Sequence, residues 1–536
     1  INEFIHTKNS DAIFDSLSSL IPILPFYGVE YNLELNSNGC EYPELTNNLI
    51  RSINNGLGVI NYTGHGDPNT WADERILSKS RDIQFINAKN NKLAIWIAGT
   101  CSFGKYSNED SFMESLLIKQ NGAIAVIAST DDIGYTPNRE FIESLFGISN
   151  DFGIQDIINN REKYFYKGKI RLAELVNNSK NLMDSENNYY KFHTFGDPAL
   201  CMPFPSVSQN ILNQTLESII LIEEQSISLN NINNMNSTLL IQESDKEVLL
   251  ENNGTSYSKP GQIFTQMKAE SNIACFRIPL DAGSCNGCDA KMFIYQDNNG
   301  MNPQIQTLKD LHILNSNQIM QDELGPKINI FQNEQLLSEG AVLLQNQDVT
   351  IQFDDSSGIN LMNTIGHGIR YSFYKEPLRS IDGNEFLYQT CSIGSINLSP
   401  PPRGDNSLNN FYLEAWDGLN NRSIIDINFS QINLKNKDLS INKVYPFPNP
   451  FTSSTNFTMF SSTYPVDINI TIFSLNGKKV KELNKTGSDA YFISIPWNGR
   501  SENNSKIANG TYLYKLEAKN ADKTFYENIF KITKVK

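Results

Sequence analysis

The chain has 536 residues, and its 44 Lys and Arg against 59 Asp and Glu give a formal net charge of −15. That balance argues against a nucleic-acid binder, because phosphate contacts need a basic surface. Hydrophobic residues at 39% and aromatics at 10% are enough to bury cores, so wholesale disorder is excluded. At about 150 residues per domain the length predicts three or four domains.

Taken in chain order, the first ~200 residues alternate helix and strand. Ala12–Leu20 and Pro43–Asn55 have helical spacing. The short apolar runs Leu57–Tyr62, Leu93–Ala98 and Ala123–Ser129 read as buried strands, with a helix over Ser111–Gln120 before the third. Further helices are predicted at Asn138–Phe146 and Ile170–Met183. Buried strands separated by helices predict an α/β domain with a parallel sheet. After Pro205 the segments become short and alternating, as in Ser218–Ile222, Ser237–Gln242, Lys291–Tyr295 and Val349–Phe353, with Asn, Gly and Ser between them. This predicts sandwich-like all-β modules. Gly325-Pro326 fits a turn between two of them, Ser399–Pro402 a stiff loop, and Tyr445–Pro450 the clearest linker. The expected domains are 1–205, 206–324, 325–440 and 441–536.

No segment approaches the ~18 apolar residues needed to span a membrane. The chain starts at Ile1 with no n-region or h-region, so a processed form or a fragment is expected. The seven cysteines are Cys40, Cys101, Cys201, Cys275, Cys285, Cys288 and Cys391, an odd count that leaves at least one thiol unpaired within the chain. Cys285 and Cys288 form a lone CNGC, read as a local disulfide or two free thiols and not as a zinc site. Cys201 reads as buried and inert.

Two places stand out for chemistry. Asn61-Tyr62-Thr63-Gly64-His65-Gly66-Asp67 follows one predicted strand, and Ala98-Gly99-Thr100-Cys101-Ser102-Phe103-Gly104 follows the next. Residues just past the carboxyl ends of parallel strands line the ligand crevice, so His65 and Cys101 are delivered to one edge. A thiol beside an imidazole is an effective nucleophile, and glycines around the histidine let a substrate approach the backbone closely. The tripeptide recurs as Gly366-His367-Gly368 in the β region, without a preceding buried strand or a partner cysteine. His367 is therefore read as a structural loop residue.

The ordered blocks Asn61–Gly66 with Trp71, then Cys101, Ala125–Thr130 and Thr194–Leu200 resemble the gingipain family of caspase-like cysteine peptidases. Trp71–Leu77, Thr100–Tyr106 and Glu114 are similar to the type IX secretion sortases within it. So are Asp322–Ile328, Asp355–Asn360 and Ala415-Trp416-Asp417 in the β region. The last module, with Tyr445–Phe451, Ile472–Gly477, Trp497–Arg500 and Asn509–Tyr514, resembles an FlgD-like immunoglobulin fold. Two departures stand out: Ala98-Gly99-Thr100 replaces the usual Thr-Ala-Thr, and Asp131-Asp132 occupies positions where sortases often carry Thr and Arg.

The resemblance implies a caspase-like α/β domain followed by immunoglobulin-like β domains. It implies that Cys101 is the nucleophile, His65 the general acid/base, and the backbone N–H groups of Gly66 and Cys101 the oxyanion donors. Trp71, Glu74, Ser129 and Thr130 are the substrate-side candidates, with packing or turn roles as alternatives for Trp71 and Glu74. Glu114 is expected to make a hydrogen bond within the fold, and Asp197 a turn. The implied partners are secreted cargo with C-terminal signal domains, anionic lipopolysaccharide and an outer-membrane barrel, with no nucleic acid. The implied location is the extracellular face of the bacterial outer membrane. No cofactor is required; calcium occurs in relatives, but no dense acidic loop places it, so no metal ligand is assigned. The family has further sequence before the point matching Ile1, so an N-terminally truncated chain is expected. The rival readings are a gingipain-like endopeptidase with water as acceptor and a non-catalytic surface-binding protein.

Overall fold

The computed structural model describes residues 11–536, apart from 37–38, 89–91, 108–109, 149–152, 160–169, 184–188, 203, 231–235, 250–255, 270–271, 284–288, 299–300, 318–320, 345–346, 364–365, 402–407, 433–438, 464, 489–491 and 521–524. Cys285 and Cys288 lie outside the described residues.

The N-terminal domain is built on four strands: β3 (Val59–Thr63), β6 (Ala94–Gly99), β7 (Ala123–Ser129) and β8 (Phe192–Gly196), in the order β3-β6-β7-β8. Two small hairpins complete its strand set, β1 (Glu34–Asn36) with β2 (Gly39–Glu41), and β4 (Thr70–Trp71) with β5 (Leu77–Ser78). β3, β6 and β7 are parallel, as their apolar runs predict, whereas β8 adds an antiparallel edge that the sequence reading missed. After the buried Phe192 its residues, His-Thr-Phe-Gly, are half-buried or exposed, and it lacks the continuous apolar run of the central strands.

Alternation along β6 sends its side chains to two cores. Ile95 and Ile97 face a cluster with Phe141, Ile142 and Leu145 of α4 (Tyr135–Phe146), Ile157 of α5 (Ile154–Asn159) and Leu175 of α6 (Leu172–Asn181). Helix α1 (residues 11–17) adds Ile13 and Leu17 to this face. Trp96 and Ala98 face the other cluster, with Leu49, Ile50 and Ile53 of α2 (Pro43–Asn55) and Phe112, Met113 and Leu116 of α3 (Phe112–Ile118). The sheet is thus covered on both faces. α3 begins with a capping box, in which Ser111 accepts from the Glu114 N–H and the Glu114 carboxylate accepts from the Ser111 N–H at 2.7 Å. Glu114 therefore has the structural role expected of it. No helix among the described residues is long and apolar enough to cross a membrane.

The β region pairs across the position of the expected turn at 325. One sheet runs Ser218–Ile220, Met301–Leu314, Asp289–Asn298, Asn236–Glu243, Ile263–Ala269, Leu387–Tyr388, Ile393–Leu398, Val349–Asp354, Lys327–Gln332, Gln335–Leu336. One apolar core holds residues from Ile211 to Phe429. The join between the two halves of this sheet is a single paired position, Met267 with Tyr388. A disulfide between Cys275 and Cys391 lies close by, a pairing the cysteine spacing did not reveal. His367 sits in a loop as expected, and its Nδ1 lies 2.6 Å from Asp281 Oδ2, tying the two halves together again.

The last part forms a three-stranded sheet (Ile441–Phe447, Thr455–Ser461, Phe492–Trp497) and a four-stranded one (Lys479–Ser488, Val466–Ser474, Gly510–Asn520, Phe525–Lys534) around one core. The segment read as a linker, Tyr445–Pro450, is corrected here. Tyr445, Pro446 and Phe447 belong to a strand at the edge of the three-stranded sheet, where a proline's missing N–H costs no ladder bond.

The N-terminal domain packs against the β region through polar contacts. Arg51 Nη1 meets Glu385 at 2.9 Å, and Lys259 Nζ meets Glu30 at 2.5 Å. Tyr257 donates to Glu30 at 2.7 Å. Between the two lies a cleft of about 1260 Å³, with Ile60, Tyr62 and His65 on one wall and Leu240, Phe293 and Ile305 on the other.

Candidate active site

The register of β3 and β6 pairs Thr63 with Gly99 at their carboxyl ends. His65 and Cys101 are each two residues beyond that pair, so they leave the sheet at the same level on adjacent strands. The loops touch directly. A Cβ on Gly66 would lie 2.5 Å from Thr100 Oγ1, so the residue after the histidine packs on the residue before the cysteine. Gly99 O accepts from both the Gly64 N–H at 3.1 Å and Asn138 Nδ2 of α4 at 2.7 Å, which pins the two strand ends to one helix.

This packing also accounts for the departure from Thr-Ala-Thr. A Cβ at position 99 would meet Ile142 Cγ1 at 2.9 Å, so the α4 side chain fills the space an alanine would take.

The histidine loop folds back as a short antiparallel bridge between Gly66 and Trp71. Its two hydrogen bonds run from Ala72 N–H to His65 O at 2.8 Å and from Asp67 N–H to Thr70 O at 3.0 Å. Tyr62 Oη also donates to His65 O, at 2.7 Å. The His65 side chain is exposed and borders the cleft.

Cys101 is half-buried, and its thiol lies between the backbone groups of Ile133. It donates to Ile133 O at 3.3 Å and accepts from Ile133 N–H at 3.5 Å. The following residue, Ser102, has a φ of 52°, and its hydroxyl donates to Asp132 at 2.7 Å. Ser102 N–H donates to Asp131 O at 3.1 Å. The Asp131-Asp132 loop is held in turn by Lys191, whose Nζ donates to Asp132 O at 2.6 Å and lies 3.7 Å from Asp131 Oδ2. Thus the second departure, Asp131-Asp132, builds the wall beside the thiol.

Neither the Gly66 N–H nor the Cys101 N–H has a hydrogen-bond acceptor among the described residues. For Cys101 the reason is that the β3–β6 ladder stops at the Gly64-to-Gly99 bond. For Gly66 it is that the bridge to Trp71 uses the neighbouring peptide groups.

The substrate-side candidates separate. Trp71 is 1% exposed, stacked on Tyr62 at 4.6 Å and tilted against Trp96 and Phe103 at 5.3 and 5.6 Å. Ser129 is 0% exposed, and its hydroxyl donates to Asp131 O at 2.7 Å. Trp71 thus takes the packing role given as its alternative, and Ser129 is a buried support of the loop at Asp131. Thr130 is half-buried, bonded through N–H and Oγ1 to Lys191 O. Glu74 is half-buried on the cleft, and with Asp73 it adds to the burial that raises the Tyr62 hydroxyl pKa far above its usual value. Asp197 Oδ1 accepts from Ala199 N–H at 2.8 Å, the expected turn. Cys201 is half-buried and not buried, its thiol 3.7 Å from Ala199 O.

One acidic cluster stands apart in the β region. Carboxylate oxygens of Asp322, Asp355 and Asp417 lie within 4.8 Å of one another. Oxygen donors of this kind suit a hard cation such as calcium. All three are already engaged in their own loops, Asp322 by Leu324, Asp355 by Ser357 and Asp417 by Leu419 and Asn421. The three come from separate loops, which is why no single acidic segment signalled them. The chemistry at Cys101 does not use them.

Residues 5–203 match the model of peptidase family C25, and residues 443–529 match that of a secretion system C-terminal sorting domain. No curated protein matches the chain. A crystal structure of dimeric latent PorU from Porphyromonas gingivalis is 17% identical, with a TM-score of 0.27; the match covers 78% of this chain and 41% of that one. The chain thus spans less than half of that protein's length. An I-band fragment of titin is 10% identical over 61% of this chain and 98% of its own, with a TM-score of 0.14. The expected architecture, an α/β domain followed by all-β structure, is the one observed.

Proposed function

We propose that this chain, whose α/β domain belongs to peptidase family C25, is a cysteine peptidase of the type IX secretion sortase kind. It cleaves C-terminal signal domains from secreted cargo and transfers the cargo to anionic lipopolysaccharide. The observation that carries the peptidase chemistry is the matched register, which brings His65 and Cys101 off adjacent parallel strands at one level with their loops in contact.

In this reading the Cys101 sulfur adds to the scissile carbonyl and the carbonyl electron pair moves onto oxygen. The N–H groups of Gly66 and Cys101, which have no acceptor among the described residues, are the groups available to that oxyanion. His65 protonates the departing amine as the C–N bond breaks, leaving a thioester. An amine of surface lipopolysaccharide then attacks the thioester and Cys101 is released. Cargo signal domains, lipopolysaccharide and an outer-membrane barrel are the partners of this scheme. Its place is the extracellular face of the bacterial outer membrane. The Cys275–Cys391 disulfide supports an oxidising compartment.

A second reading has an observation in its favour. Residues 443–529 match a C-terminal sorting domain, the kind of tail that exported cargo carries, so the chain also fits a gingipain-like endopeptidase that releases its product to water. Product analysis separates the two. Mass spectrometry of cleaved cargo gives an amine-linked new C-terminus for the transferase and a free carboxylate for the hydrolase. Cys101→Ala tests both, because each catalytic contribution of this kind is worth about 10²-fold or more. Turnover that survives Cys101→Ala sinks Cys101 as the nucleophile, whereas a wild-type chain that neither cleaves nor transfers cargo leaves the non-catalytic surface protein.

A further inference from the structure

We infer that Tyr62 is a positioning residue for the oxyanion site: its hydroxyl fixes the His65–Gly66 peptide plane and thereby aims the Gly66 N–H. The inference rests on the peptidase reading above and adds a part to it.

The peptide unit between His65 and Gly66 is planar and trans, so its C=O and N–H point in opposite directions. Whatever holds one end aims the other. His65 O receives two donors, Tyr62 Oη at 2.7 Å and Ala72 N–H at 2.8 Å. Two bonds to one oxygen remove the rocking freedom that a single bond leaves. The opposite end, the Gly66 N–H, points away from the Thr70–Trp71 strand and has no acceptor among the described residues. Hydrogen bonding at the carbonyl also polarises the peptide group, which makes that N–H a better donor.

Tyr62 is itself held. Its ring stacks on Trp71 at 4.6 Å with an interplanar angle of 10°, and Trp71 is buried against Trp96 and Phe103. Phe103 is two residues past Cys101, so the aromatic stack spans from the histidine loop to the cysteine loop. The ring reaches His65 O only by crossing Gly64. A Cβ there would lie 2.7 Å from Tyr62 Cζ. The first glycine of Gly64-His65-Gly66 is thus explained by the phenol and the second by Thr100. Burial and the nearby Glu74 and Asp73 keep the hydroxyl protonated, so it stays a donor.

Tyr62→Phe keeps the ring and its stacking and removes only the hydroxyl. Two reactions of Cys101 distinguish positioning from packing. Alkylation by iodoacetamide needs the thiolate and makes no oxyanion. Addition to a peptide aldehyde forms the S–C bond and moves the C=O pair onto oxygen, against the Gly66 N–H. The test measures how an acetylated tripeptide-aldehyde pool, randomised at each position, protects Cys101 from iodoacetamide in the full chain. Losing an oxyanion donor outright costs about 10²–10³-fold, so loosening one predicts a ~10-fold rise in the half-protecting concentration. The alkylation rate without aldehyde and the thermal midpoint stay at wild-type values. Equal protection of Tyr62→Phe and wild type overturns the inference. So does a parallel fall in alkylation, protection and midpoint, which is the mark of a packing role. A wild-type chain that the pool does not protect counts against the peptidase reading itself.

Discussion

The Cys275–Cys391 bond makes a quantitative prediction. It joins strand Ile273–Phe276 to the turn before Ile393–Leu398, with Cα atoms 5.4 Å apart and a sequence separation of 116. It stands close to the thinnest join in the large sheet, the single Met267–Tyr388 pair. Replacing both cysteines by alanine leaves the shared core and the His367–Asp281 contact in place, so the native state persists. The change falls mainly on the unfolded chain, which regains the freedom that a 116-residue loop had lost. Loop-closure entropy puts this at about 5 kcal/mol, the upper end for a single bridge. A β unit of this size moves by about 2–4 °C per kcal/mol, so the midpoint should drop by about 10–20 °C. Calorimetry of the intact double variant measures it, and wild type under reducing conditions should fall to the same value. A shift under about 2 °C would refute the reasoning, because the bridge would then constrain nothing that the sheet does not already hold.

Gly64→Ala forces its Cβ into the Tyr62 ring, so cleavage should fall ~10-fold or more while overpacking costs about 1–3 kcal/mol, read by turnover beside a thermal melt. Trp71→Ala should cost about 3–5 kcal/mol as a buried truncation, whereas Trp71→Phe should cost under about 2 kcal/mol, because it removes an indole N–H that has no acceptor among the described residues. Equal losses for the two variants in urea denaturation would contradict that account. Arg51→Ala leaves the buried Glu385 carboxylate unpaired and should cost about 3–5 kcal/mol at neutral pH. Burial already raises the Glu385 pKa and Arg51 opposes that rise, so the variant's folded-state pKa goes higher still. A raised carboxyl is most stable protonated and loses stability as pH rises through its folded pKa. The deficit should therefore shrink towards acid, and a deficit equal at pH 4 and pH 7 would count against the explanation.

What could be read in the chain follows the range of the forces involved. Ala123–Ser129 and Pro43–Asn55 are the strand and helix expected, because a continuous apolar run and a 3.6-residue period are local signals. Leu93–Ala98 is displaced by only one residue. Non-local pairing was hidden. The antiparallel β8, the sheet crossing position 325 and the Cys275–Cys391 bond each depend on partners far away in the sequence. Pro446 misled for a related reason: a proline forbids a central strand but is allowed at an edge, and only the sheet order shows which applies. The placement of His65 and Cys101 just past adjacent strand ends was legible because they follow apolar strands. For Trp71 the sequence left a packing role and a substrate-side role open, and for Ser129 it offered a substrate-side role, because adjacency to the histidine or to a strand end says nothing about which way a side chain packs; both side chains are buried.

The two Gly-His-Gly tripeptides show why composition alone could not separate the loop proposed as catalytic from the structural one. Gly366 and Gly368 take φ values of 94° and 97°, which side chains rarely adopt, so there glycine serves the backbone conformation. Neither Gly64 nor Gly66 has a positive φ. At those positions glycine serves proximity, making room for Tyr62 on one side and Thr100 on the other. The histidines differ in the same way. The His367 ring is tied to Asp281 and braces two halves of a sheet. At His65 it is the carbonyl that is tied, by Tyr62 and Ala72, while the ring borders the cleft. The residue that separates the two cases is Tyr62, three positions before His65 and stacked on Trp71, and nothing comparable holds the His367 backbone among the described residues.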